Sequence, residues 1–363
     1  MLSEAKEGTV EDPVFRESSD FVDLEWLSWK AKGIGRDAGI STAEETSKTF
    51  AQVSSYILRE PLIRHSRLEG WVIHKKLGQG SYGSVYKATD PKGQVFALKL
   101  FPVNIKETQG SDFGENYRLD EEYTDWRLKE IWDVFLGLEE EKSLEVIKNS
   151  RDPTGLLMQS YAYGLTSFGD YVYSFAVIEY IEGTSLTSLI FCAEDTEWRP
   201  TQKVFEKFAS VLFHGVSQLH GIGLAHLDIN PNNIMFTGTK LKLVDFGFTC
   251  IFGTDRTCYW GQSTVNPPEF RYYSEQITRK EAEAVDVWCS AYSILSLLSI
   301  RDRKSFGQSN REDRKQNKLE LKERIKMAKE KYLLPKIFLE AFSEDPSKRP
   351  TASALYKEFA KLV

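Results

Sequence analysis

The stretch that decides the fold is His226-Leu227-Asp228-Ile229-Asn230-Pro231-Asn232-Asn233, followed 12 residues after Asn233 by Asp245-Phe246-Gly247. It places a carboxylate, an amide five residues on and a second carboxylate at a spacing with specific chemical use. Phosphoryl transfer needs a carboxylate to receive the nucleophile's hydroxyl proton and oxygen ligands to hold Mg²⁺ against a triphosphate. Asp228 suits the first role, and Asn233 and Asp245 suit the second.

Upstream, Gly78-Gln79-Gly80-Ser81-Tyr82-Gly83-Ser84-Val85 matches G-x-G-x-x-G-x-V. The same glycines can open a dinucleotide-binding helix, but Val85-Tyr86-Lys87-Ala88 reads as a strand, which disfavours that use. A strand-loop-strand flap lets backbone N–H groups lie over phosphates. Fourteen residues past Val85 comes Lys99, the one cation of an apolar strand Phe96-Ala97-Leu98-Lys99. From that spacing its ammonium is expected beneath the phosphates.

These motifs together resemble the eukaryotic-type protein kinase family, over roughly residues 70–363. The resemblance implies an α+β, bilobal fold: an antiparallel sheet with one main helix in a first lobe (70–182), and a larger, mostly helical second lobe (183–363). It implies ATP and Mg²⁺ as cofactors and a protein substrate. Gly78, Gly80, Ser81 and Gly83 would cover the phosphates, and Val85, Ala97 and Met235 would sandwich the adenine. Glu179 to Ile181 would form the hinge after Ile178. Asp286 would brace the catalytic loop, Pro267-Pro268-Glu269 would end the activation segment, and Arg349 would pair with Glu269. Pro231 follows the Ser/Thr-directed form of the loop. Glu130 is expected to pair with Lys99, because apolar residues follow it one and four positions later; Glu145 is the alternative.

Three positions depart from the family's pattern. Leu227 stands where regulated members carry the Arg that reads an activation-segment phosphate. Asn230 stands where Ser/Thr-directed members carry a Lys that touches the transferred phosphate, so Asn230 enters the catalytic set as an amide. Gln262 replaces the Thr that bonds that Lys, and the two amides could bond each other. A nucleotide-binding pseudokinase scaffold is therefore a second reading, and a small-molecule kinase a third.

Composition agrees with a folded enzyme. The 363 residues are 41% hydrophobic and 28% charged, and 47 Lys+Arg against 53 Asp+Glu give a net charge of −6. That balance argues against a nucleic-acid binder working through bulk positive charge. The longest apolar run, Val287–Ile300, is too short to span a bilayer, and the acidic start does not read as a signal peptide, so a cytoplasmic location is the default expectation. Cys192, Cys250, Cys258 and Cys289 form no C-x-x-C pair, and all four are expected to be reduced thiols. Residues 1–69 read as an extension with one helix at about 43–58 after a capping-box pattern, and an aromatic knot at Phe21, Trp26 and Trp29. The extension is suited either to docking on the first lobe or to recruiting a regulatory partner.

Overall fold

In a computed structural model of the chain, the residues described are 68, 70–79, 84–102, 138–150, 155–168, 171–253, 267–269, 277–299 and 314–363. The expected helix at 43–58, together with Gly80, Ser81, Gly83, Glu130 and Gln262, lies outside them.

The three expected strands of the first lobe form as Val72–Gln79 (β1), Ser84–Thr89 (β2) and Val95–Pro102 (β3). The turn between β2 and β3 is built by Asp90, whose carboxylate accepts from Lys92 N (2.9 Å) and Gln94 N (2.8 Å). Gly93 closes it at φ 84°, a left-handed conformation that a side chain would strain. A helix, Leu138–Asn149 (α1), precedes Ser160–Phe168 (β4) and Tyr171–Ile178 (β5). The sheet is antiparallel with order β1-β2-β3-β5-β4. Its two-residue alternation puts Ala97, Ala176 and Ile178 on the face shared with the main core, and Phe96, Leu98 and Leu100 on the other.

One segment differs from its expected element. Leu157–Gly164 reads as one strand, yet β4 begins only at Ser160, and Leu156–Met158 pairs across to the second lobe. Met158 N donates to Leu243 O (3.1 Å) and Leu243 N to Leu156 O (2.8 Å). A strand-like apolar run satisfies its backbone groups with whichever neighbour the fold supplies, and here that neighbour is Leu241–Leu243 (β9).

The second lobe begins with Thr184–Ser185 (β6), Leu186–Asp195 (α2) and Gln202–Gly221 (α3), then Leu224–Ala225 (β7). A single 3₁₀ turn, Pro231–Asn233, leads into Ile234–Phe236 (β8), β9 and Cys250–Ile251 (β10). Arg279–Leu298 (α4), Arg314–Lys331 (α5), Lys336–Glu340 (α6) and Ala352–Phe359 (α7) complete it. α4 starts at a full capping box, with Thr278 and Glu281 each accepting from the other's backbone. It is buried almost all round, and its buried serines stay satisfied: Ser290, Ser293, Ser296 and Ser299 each donate to the carbonyl four residues back. Among the described residues no helix is long and apolar enough to cross a membrane.

The cysteine expectation needs a correction. Cys192 and Cys289 are free and buried, but Cys250 is disulfide-bonded.

The expected Arg349–Glu269 pair is present in bidentate form, both N–O distances being 2.6 Å. Arg349 also donates to Ser343 O (3.0 Å) and Ala284 O (3.1 Å), and stacks 4.8 Å from the Trp288 ring centroid. Arg349→Met should cost about 3–5 kcal/mol, because it leaves Glu269 half-buried and unpaired and also removes donors from two carbonyls. Arg349→Lys should recover only part of this, since an ammonium cannot make the fork. Urea unfolding of the three proteins measures both, and an Arg349→Met loss below about 1 kcal/mol would assign the pair to the surface class.

Candidate active site

The catalytic loop is held from below by α4. Asp286, fully buried, accepts from His226 N (2.7 Å) and Leu227 N (2.8 Å), and lies 2.9 Å from His220 Nε2. That carboxylate replaces the sheet or helix partners that the loop's N–H groups lack. It also keeps Leu227 in a left-handed conformation (φ 59°), which an ordinary residue enters only when its surroundings impose it. The Leu227 side chain is 1% exposed, packed in the main core.

His226 is a buried, neutral spacer. Burial pushes its imidazole below the ordinary range, outweighing the carboxylates of Asp286 and Asp245. Its Nδ1 faces Asp228 N (3.3 Å) and its Nε2 faces Val244 O (3.1 Å), which fits the tautomer protonated on Nε2. The ring thereby ties the loop to the strand that delivers Asp245.

Asp228 stands between two amides. Asn230 Nδ2 donates to Asp228 Oδ1 (3.1 Å) and Asn233 Nδ2 to Asp228 Oδ2 (2.9 Å), and both also reach the Asp228 carbonyl, at 3.0 and 2.9 Å. The other end of the Asn230 amide is engaged as well, since its Oδ1 accepts from Asn232 N (2.9 Å) and so caps the 3₁₀ turn. The residue that departs from the family's Lys is therefore occupied by Asp228 and by its own backbone.

Asp245 sits at φ 64° with its Oδ1 2.7 Å from Lys99 Nζ. Burial alone would raise its pKa, but the Lys99 charge and hydrogen bond, aided by Gly247 N–H, hold it below the usual carboxylate range. Asp228 goes the other way. Burial first, and the Asp245 charge second, push it to about 7 against the pull of the two amides. Two carboxylates in one cleft are thus separated into a permanent anion and a group that exchanges a proton near neutrality.

The remaining expected residues fall around this pair. Val85 registers with Lys99, and Ala97 with Ile178, so the adenine-facing candidates lie on neighbouring strands. Gly78 registers with Val85 at the end of β1, and Ile181 packs on the main core. Met235 comes up from β8 opposite Ser185. Glu145 is exposed on α1, turned away from the core that Leu144 and Ile147 join. Of the activation-segment hydroxyls, Thr249 is 1% exposed and closed to a modifying enzyme.

The sequence reading also missed a clamp beneath the hinge. Lys242, nearly buried on β9, lies 2.7 Å from Glu179 Oε1, and Glu179 Oε2 accepts from Gln159 N (3.1 Å). Glu179 N in turn donates to Gln159 O (2.9 Å). In Leu241-Lys242-Leu243 the lysine reads as a solvated strand residue, and only the tertiary contact gives it a partner. Lys242→Met should leave Glu179 without its counter-charge and lower stability by about 3–5 kcal/mol. Lys242→Arg should restore most of it, and unfolding curves would show an unneeded clamp if the methionine variant were unchanged.

The raised Asp228 also has a stability signature. Its folded value of about 7 exceeds the ordinary 3.8, so the unfolded chain releases the proton first and stability falls as pH rises between those values. Relative to Asp228→Asn, which does not titrate, metal-free wild type should lose melting temperature from about pH 4 to 7 and run parallel above that. A difference that stays level across this window would mean Asp228 is ionised throughout.

The chain is similar in sequence to known proteins. The model of the protein kinase domain matches residues 162–359. Serine/threonine-protein kinase ULK3 of Rattus norvegicus is 26% identical over 297 residues, covering 78% of this chain and 53% of its own length. A probable serine/threonine-protein kinase of Dictyostelium discoideum is 26% identical over 242 residues, covering 65% of the chain and 30% of its own length. Mitogen-activated protein kinase kinase kinase 19 of Homo sapiens is 25% identical over 236 residues, covering 62% and 15%. The chain thus spans about half or less of each of these relatives. With a family match over more than half its length, and with the loop, the carboxylate pair and the Arg349–Glu269 bridge in the arrangement that match implies, the chain belongs to the protein kinase domain family.

Proposed function

We propose that the chain is an ATP- and Mg²⁺-dependent protein kinase that phosphorylates serine and threonine hydroxyls. The observation that carries this is the split carboxylate pair: Asp228 pushed to about 7 while Lys99 holds Asp245 ionised. The curated relatives named as serine/threonine kinases, and Pro231 in the loop, support the choice of hydroxyl. Asp245 and Asn233 offer one carboxylate and one amide oxygen, a small hard donor set that suits Mg²⁺ when phosphates and water complete the shell. A cation at that point would also relieve the repulsion that raises Asp228. Bound there, Mg²⁺ supplies charge neutralisation between the β- and γ-phosphates.

In this reading the substrate hydroxyl lies against Asp228, which accepts its proton as the oxygen attacks the γ-phosphorus. The bond from that phosphorus to the β–γ bridging oxygen breaks, and ADP leaves with the electron pair. Asn230 and Asn233 orient Asp228, Lys99 holds the phosphates, and Glu179–Ile181 with Val85, Ala97 and Met235 receive the adenine. Glu130, or Glu145 as the alternative, would brace Lys99.

A nucleotide-binding scaffold is the second reading, favoured by Asn230 in place of the family's Lys. The two are separated by turnover of radiolabelled ATP with generic protein substrates. Lys99→Met and Asp245→Ala should each abolish transfer with the fold intact. Asp228→Asn should keep nucleotide binding and slow transfer by about 10²- to 10⁴-fold, the loss expected for a positioned base. Absence of turnover in wild type, with ATP and Mg²⁺ still raising its melting temperature, would select the scaffold.

Control by an activation-segment phosphate is not expected, because Leu227 is sealed in the core and offers no cation. Phosphatase-treated protein should keep its activity, as should protein with Thr254 and Thr257 changed to Ala. A loss beyond about tenfold, equal to about 1.4 kcal/mol of barrier, would mean that another cation reads the phosphate.

A further inference from the structure

The connection between the lobes is held by one cation from each side, and the catalytic reading uses neither. From the second lobe, Lys242 takes the Glu179 carboxylate, whose Oε2 also accepts from Gln159 N. From the first lobe, Lys87 on β2 places its Nζ 4.8 Å from the centroid of the Tyr180 ring.

Strand register shows how far that lysine reaches. Lys87 is level with Ala97 on β3, and Ala97 with Ile178 on β5. Residues two apart on a strand share a face, so Lys87 leaves β2 on the face that carries Val85 and Ala97, the two candidates for the adenine. Two strand spacings, about 9–10 Å, separate β2 from β5. The four-carbon stem of Lys87 and the ring of Tyr180, two residues beyond Ile178, close that gap between them. The contact thus passes over β3 beside Ala97, at the hinge end of the cleft.

The choice of a ring as partner has a reason in the surroundings. Lys87 is half-buried, and an ammonium partly out of water is costly unless something replaces the lost hydration. Lys75, level with it on β1, has the same charge and repels it. The Glu179 carboxylate, one residue before Tyr180, is committed to Lys242 and Gln159 N. The electron-rich face of Tyr180 meets the need. Through hydrogen bonds β2 reaches β5 by way of β3; the lysine ties β2 to the hinge directly.

We infer that Lys87 is a positioning residue for the nucleotide: its contact with Tyr180 holds β2, and with it Val85, at a fixed distance from the hinge, so that the adenine slot has its bound width before a nucleotide enters. This rests on the reading of Val85, Ala97 and Glu179–Ile181 as the adenine site. A slot held in advance lets ATP bind without first ordering the strand above it. Loss of the latch is therefore felt in the affinity for ATP and not in the transfer step, to which Lys87 contributes no group.

Calorimetric titration of Mg²⁺–ATP into the full chain tests this, beside turnover at saturating ATP. Lys87→Met should raise the Kd about 3- to 30-fold, the span of a cation–π contact between exposed and desolvated settings, while kcat stays within about twofold. Lys87→Arg should restore the affinity, because a guanidinium also reaches the ring. Tyr180→Leu should match Lys87→Met, and the double variant should be no worse than either single one, since each removes the same contact. A Lys87→Met Kd within about twofold of wild type, a loss confined to kcat, no rescue by arginine, or losses that add in the double variant would each overturn the assignment. Should Lys87→Met not fold, Tyr180→Leu decides by the same Kd comparison. Wild type that binds ATP without turnover rejects the kinase reading and leaves this one to the Kd values; wild type that binds no ATP overturns the adenine-site reading, and the inference with it.

Discussion

The site depends on one buried carboxylate. Asp286 reaches from the central helix into a loop that has no regular backbone partners and accepts two consecutive N–H groups, at 2.7 and 2.8 Å. An uncompensated charge at that depth would cost several kcal/mol. The loop's donors are the compensation, so helix and loop stabilise each other. From that fixed point the chain runs through Leu227 in a left-handed turn, presents Asp228, and re-enters regular structure at β8. Every catalytic candidate on the loop takes its position from this anchor.

The second constraint is electrostatic. Asp228 and Asp245 share a cleft in which both cannot be comfortably ionised, and the fold breaks the tie by placing Lys99 on only one of them. Asp228 is left with amides, which orient an acid or its conjugate base without adding charge. Asn230 shows how a departure from the family's pattern can be locally self-consistent. The family's Lys would supply a cation there, whereas the amide caps the following turn and bonds Asp228 in one placement.

The lobes meet through a polar seam as well as an apolar one. Leu156 and Met158 exchange backbone hydrogen bonds with β9, and the Lys242–Glu179–Gln159 cluster lies alongside. Glu179 directly follows β5, starts the connection between the lobes and accepts from a lysine of the second lobe. A hinge pinned on both sides presents its backbone in one orientation, and this is what a planar ligand edge needs.

Much of this was legible in the sequence because it is written locally. The strand period in Phe96-Ala97-Leu98-Lys99, the 3.6-residue stripe of α3 and the loop spacing from Asp228 to Asn233 and Asp245 each follow from short-range geometry. So the strands, the main helices and the candidate triplet Asp228, Asn233 and Asp245 were readable without coordinates. The partner of Arg349 is 80 residues away and was reached only through family likeness. What remained hidden was long-range and chemically unspecific in sequence: Lys242 reads like any surface lysine, and Leu157–Gln159 like the start of any strand. Side-chain type and spacing decide which chemistry a segment can perform. The tertiary structure decides which charges face each other across the cleft, because burial and proximity, the two causes of the Asp228 shift, do not exist until distant segments are packed together.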